Sequence, residues 1–174
     1  MQRLVVTAVL AALLSIVGAG TSAIANAQIN PRYTTSIEGT FEDVYDEFKN
    51  AIINEGLTID YVGNVDQMLE RTSQAQIDTD DIDQNLKQVT PVYLFAKYMQ
   101  FCSSALTHKA VQANPNNLSM CPFLVFIYET TANPGRIIIG YRPPTLGKDE
   151  ASKAISQEVV LFLNGILNEV ASNY

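Results

Sequence analysis

The residues able to do covalent or metal chemistry gather in one stretch, Tyr98–Glu129, which reads YMQFCSSALTHKAVQANPNNLSMCPFLVFIYE. It holds both cysteines, Cys102 and Cys121, and the single histidine, His108, with Met99 and Met120 close by in sequence. Three chemistries are open to that set. Two cysteines in an oxidising compartment most simply form a disulfide. Cys102 alone, beside the helix-starting residues Ser103 and Ser104, would have its thiol made more acidic by a helix N-terminus and could carry sulfur or exchange disulfides. Cys102, His108 and Cys121, with the two methionines, are soft ligands of the kind that suit copper.

Spacing weighs on all three. The cysteines are 19 positions apart, and the chain lacks the Cys-x-x-Cys spacing that redox catalysts favour. Strand periodicity puts Met99 and Cys102 on opposite faces, and Met120 and Cys121 likewise. At most Cys102, His108 and Cys121 could converge, so no metal and no cofactor is expected. The disulfide turns on chain direction, because Cys102 closes one strand-like run and Cys121 opens the next. In parallel strands the two would lie at opposite ends, beyond the ~5.5 Å Cα separation a disulfide needs. In antiparallel strands they meet at one end, and Asn114–Met120 is long enough to bring the chain back past an intervening helix.

Other chemistry is thinly represented. There is no haem-attachment motif, no glycine-rich phosphate loop and no serine nucleophile elbow. One histidine without facing carboxylates offers little for acid–base catalysis, so no catalytic residue is assigned and a non-enzymatic role is expected. Asp78–Asp83 (DTDDID) resembles a calcium loop, but Asp83 and Val89 stand where glycine and glutamate are required. Glu129, Arg136 and Arg142 could pair across a hairpin. Asn117-Leu118-Ser119 fits a glycosylation sequon.

The elements that must position these residues are legible in part. Residues 1–27 combine Arg3, an apolar run from Leu4 to Ala19 and an Ala25-Asn26-Ala27 cleavage site, the pattern of a secretory signal peptide. The expected location is therefore periplasmic or secreted, with no stable membrane insertion after cleavage. Residues 28–174 suit one domain. They carry 10 basic and 18 acidic residues, a net charge of −8, which argues against nucleic acid as a partner. The remaining candidates are an unidentified protein or small molecule, and a second copy of the chain.

Tyr33–Gly39 reads as a first strand. Thr40 with Asp43 predicts a helix cap, Phe41, Val44, Phe48 and Ile52 a helix over 41–55, and Gly56 its left-handed end. A strand follows through Leu57, Ile59 and Tyr61. Asn64 and Gln67 predict a short helix over about 65–73, and Ile82, Leu86 and Val89 allow another turn or two. Thr90-Pro91 could start either a helix or a strand, and the aromatic run favours a strand, firmly from Tyr98. Ser103 and Ser104 cap a helix carrying Leu106, Ala110 and Val111. Asn114–Asn117 is a turn or loop. Cys121–Glu129 is a buried strand, Thr130–Gly135 a hairpin loop and Arg136–Tyr141 the returning strand. The last helix starts near Lys148, with a stripe of Ala151, Ile155, Val159, Phe162, Ile166 and Val170. Val160, Leu161, Leu163 and Leu167 widen its apolar surface, which implies either deep burial or a subunit contact. The order β-α-β-(α)-β-α-β-β-α predicts a single α+β domain, with a mostly antiparallel sheet of about five strands packed against helices.

Three segments carry a family resemblance: TFEDVYDEFKNAIINEGLTIDYVGNV, the anchors FCSS and CPFLVFIYE with ANP between them, and PGRIIIGYRPP. Together they resemble the domain-of-unknown-function 302 family, in its exported, cysteine-bearing branch, over roughly residues 33–145. The resemblance implies a compact α+β domain, often paired into dimers, whose function is largely unassigned. Some exported relatives are associated with sulfur-compound oxidation systems.

Overall fold

The computed structural model describes residues 33–77 and 91–174, and the side chains of all of these except 73–77. The leader, the acidic run Asp78–Asp83 and the Ile82, Leu86 and Val89 turn lie outside the described residues.

Strand β1 (Thr34–Glu38) leads into helix α1 (Phe41–Asn54). The Thr40 hydroxyl oxygen accepts from the Asp43 N–H at 3.3 Å and donates to the Asp43 carboxylate at 2.6 Å. One free helix-end donor is thereby satisfied, and Glu42 and Asp43 place negative charge at the positive end of the helix dipole. Phe41, Val44, Phe48, Ala51 and Ile52 form the buried stripe. Gly56, at φ +73°, closes the helix and releases strand β2 (Ile59–Asn64), which runs directly into helix α2 (Val65–Ile77). That helix is four residues longer than its weak apolar periodicity predicts.

Strand β3 (Tyr93–Phe101) starts soon after Pro91, five residues earlier than Tyr98. After helix α3 (Ser104–Ala113) and a 3-10 turn (Pro115–Met120), β4 (Phe123–Thr130) and β5 (Arg136–Tyr141) form a hairpin, and α4 (Glu150–Ala171) closes the fold. The sheet order is β1-β5-β4-β3-β2, and every neighbouring pair is antiparallel. The expected α+β class and five-stranded sheet are what the chain forms.

One sheet face carries Ile37, Met99, Phe101, Phe123, Val125, Ile127, Ile137, Ile139 and Tyr141, all buried in a common core with α1 and α4. In α4, Val159, Ile166 and Val170 are buried as the stripe predicts. Leu163 and Leu167 join them, while Ile155 and Phe162 are only partly buried and Ala151 is exposed. Half of the extra apolar breadth of α4, Leu163 and Leu167, is thus spent inside the molecule, and Val160 is half-buried. Leu161 remains outside, 50% exposed.

Two local expectations are corrected. Glu129, Arg136 and Arg142 do not pair across the hairpin. Buried Glu129 accepts the Gly135 N–H at 2.7 Å, closing the β4–β5 loop, while the Arg136 guanidinium donates to Ser36 at 2.8 Å. The Asn117 sequon is sealed, since Asn117 is 1% exposed and its amide is already bonded.

Candidate functional site

The antiparallel pairing of β3 with β4 decides the geometry of the cysteines. Phe101, the last residue of β3, lies opposite Phe123, the first of β4. Cys102 is one residue past that pair and Cys121 two residues before it, so both leave the sheet at the same end. Their Cα atoms are 5.4 Å apart, within the range of a disulfide. Both are half-buried.

The excursion between them is held at each step. Ser103 caps α3, its hydroxyl accepting from the Leu106 N–H at 3.3 Å. Leu106 and Ala110 turn into the core. Asn114 ends α3 and caps the following 3-10 turn, its side chain accepting from the Asn116 N–H at 3.0 Å. The Asn117 amide donates to the Ala110 carbonyl at 3.1 Å and to the Ser152 hydroxyl at 2.8 Å, and its oxygen accepts from the Gly147 N–H at 2.9 Å. Asn117 therefore ties α3, the loop before α4 and the first turn of α4 together. The Cys121 N–H then donates to the Leu118 carbonyl at 3.2 Å, and the chain enters β4.

His108 does not join the cysteines in a ligand set. It is exposed on α3, whereas Met99 and Met120 are buried in the core. Among the described residues no group of three His, Cys, Asp or Glu side chains is placed to hold a metal ion. What the geometry brings together from the sequence candidates is Cys102 and Cys121.

Residues 33–170 match the family model of a domain of unknown function, DUF302. The chain belongs to the DUF302 family. The match runs through α4, some 25 residues further than the segments that carry the sequence resemblance. A crystal structure of an uncharacterized conserved DUF302 protein from Bacillus stearothermophilus is similar in fold, with a TM-score of 0.59 and 15% identity over 80% of this chain and 98% of that one. At that identity the likeness concerns the DUF302 fold alone. No curated protein matches this DUF302 chain in sequence.

Two residues of this DUF302 domain hold places that the sequence expectations do not give them. Asn117 sits in an Asn-Pro-Asn-Asn run that reads as a solvated turn, yet it is buried and bonded to Ala110, to Gly147 and to Ser152, the last 35 residues later. Lys97 carried a usable signal. Strand parity puts it on the same face as Met99 and Phe101, a position where a lysine is unexpected.

Proposed function

We propose that this DUF302 chain is an exported, non-enzymatic binding or accessory domain, stapled by a Cys102–Cys121 disulfide after removal of residues 1–27. The observation that carries the reading is the cysteine pair, 5.4 Å apart at Cα, at the matched ends of two antiparallel strands. Disulfides persist in the periplasm and outside the cell, and a bond here would close the α3 excursion into a loop, worth about 3 kcal/mol in the chain-entropy description. The leader pattern in the first 27 residues supports export. The test is mass spectrometry of the chain expressed in a Gram-negative host and released by osmotic shock. A mature N-terminus at Gln28 is expected, and an intact leader in a cytoplasmic fraction would refute export.

A second reading rests on the place of Cys102. It immediately precedes the capping residue of α3 and is only half-buried, so a free thiol there would sit at the positive end of a helix dipole. In that reading Cys102 acts as the thiol of a sulfur carrier or redox protein. Alkylation without prior reduction separates the two, since a staple leaves Cys102 unlabelled. Pairing into a homodimer is also proposed, supported by exposed Leu161 on α4. Analytical ultracentrifugation tests it, with Leu161→Glu expected to weaken a dimer and a wild-type monomer counting against it.

A further inference from the structure

The helix-facing residues of β3 change character along the strand. Phe101 and Met99 are fully buried, Lys97 is half-buried, and Phe95 is 42% exposed. Across the ladder on β2, Val62 faces Met99 and Asn64 faces Lys97. Val62 is 36% exposed and Asn64 half-buried. This corner of the core face is therefore only partly roofed. Its margin on α1 is aromatic. Phe95 stacks on Phe41 at 4.9 Å, Phe41 on Tyr45 at 6.1 Å, and the Tyr45 ring receives the Lys97 ammonium at 5.1 Å and that of Lys49 at 4.8 Å.

The two lysines differ in their partners. Lys49 is neutralised by Asp46 at 2.8 Å. Lys97 has no carboxylate partner among the described residues, where the ion pairs are Lys49–Asp46, Lys109–Glu158 and Lys153–Glu150. In a chain of net charge −7, the Lys97 ammonium lies over a ring it shares with Lys49 and has no carboxylate of its own among the described residues. A positively charged group at the floor of a partly apolar strip is complementary to an anion carrying an apolar body. Glu42 and Asp46 act electrostatically on Tyr45 and Lys49, and their presence disfavours a second negative charge. The strip spans two strands and about four residues, ~5 by ~13 Å, enough for a molecule of one or two rings.

We propose that the strip formed by Tyr45, Val62, Asn64, Phe95 and Lys97 binds a small amphiphilic organic monoanion, with its charged group on the Lys97 ammonium and its apolar body against Phe95 and Val62. The proposal rests on the reading of the domain as a binding module and names the class of ligand. The probe is 8-anilino-1-naphthalenesulfonate, set against the uncharged N-phenyl-1-naphthylamine, in fluorescence titrations of the purified protein. Lys97→Met, which keeps the apolar stem, is expected to weaken the sulfonate at least about tenfold and to leave the neutral probe unchanged. Lys97→Arg should retain both, and Lys49→Met should matter little because Asp46 already occupies that charge. In amide NMR spectra of the wild type, the sulfonate should shift Asn64, Phe95 and Lys97. Equal sulfonate affinity in Lys97→Met, absence of binding, or shifts confined to other surfaces would overturn the site. The cysteine measurement, independent of both probes, decides the wider reading separately.

Discussion

Tyr98 lies directly opposite Gly63 across the β2–β3 ladder, and its ring covers the place where a Cβ on Gly63 would stand. Two strands away the arrangement recurs, with Phe126 opposite Gly140 and its ring over that glycine. Tyr98 and Phe126 are themselves partners in the β3–β4 ladder. A single row across the sheet thus runs glycine, ring, ring, glycine on the face away from α1 and α4, each ring leaning outward over a backbone that has no side chain.

The two glycines should not tolerate alanine equally. At Gly63 the three atoms nearest the new methyl all belong to the tyrosine side chain, which can swing away. At Gly140 it also meets the main-chain carbonyl of Tyr33, 2.6 Å away. Gly140→Ala is expected to cost about 2–3 kcal/mol and Gly63→Ala about 1 kcal/mol, read as shifts in urea midpoint. Adding Tyr98→Ala should rescue Gly63→Ala, whereas Phe126→Ala should fail to rescue Gly140→Ala.

Asn117 offers a sharper stability test. Replacing it with alanine leaves the half-buried Gly147 N–H without its acceptor and removes the bond that the Ser152 hydroxyl accepts, its own bond to Asp149 remaining. The expected loss is about 2–3 kcal/mol, again from urea unfolding, with the β-sheet signal in circular dichroism retained. An unchanged midpoint would show that the knot between α3 and α4 is dispensable.

Acid stability should depend on Asp149, the cap of α4. The Ser152 N–H, the Ser152 hydroxyl and then the Asn114 amide hold its carboxyl below the ordinary range. A lowered folded pKa stabilises the native state fully above the unfolded value, near ~3.9, and that contribution is lost as pH falls through the lower folded value. Asp149→Asn keeps a capping side chain but removes the titration. Its deficit against wild type should be visible at neutral pH and should shrink at about pH 3; an equal deficit at both would contradict the assignment.

At the other end of the scale, burial pushes the Tyr141 phenol up to about 12, assisted by nearby Tyr33 and opposed by its hydrogen bond to Asn164. Because the folded value is raised, its contribution is complete below the unfolded value of ~10 and is lost as pH rises towards the folded one. Tyr141→Phe should therefore lose less stability than wild type between about pH 9 and 12. Identical losses would place the alkaline transition on other tyrosines.

Much of this architecture is readable where the deciding interactions are local. Thr40 and Asp43 are three residues apart, so the start of α1 is visible in the sequence, and Gly56 marks its end for the same reason. The β4–β5 hairpin is flanked by apolar runs that need no distant partner to be recognised. The start of β3 was harder, because Thr90-Pro91 is compatible with a helix or a strand and the choice is made by pairing with β4. Asn117 is illegible, since two of the three hydrogen-bond partners of its side chain, Gly147 and Ser152, lie 30 and 35 residues later. The cysteine geometry lay between these cases. Its two outcomes could be stated from the sequence, and strand direction, a property of the whole sheet, selected one.

The most direct measurement is the redox state of Cys102 and Cys121 in protein taken from the periplasm without reductant. Intact-mass analysis after alkylation should show no label on either cysteine and two labels after reduction, with the melting temperature falling by about 10 °C on reduction. Two alkylated thiols in the untreated protein, with no change in melting temperature, would contradict the staple and with it the central reading of this domain.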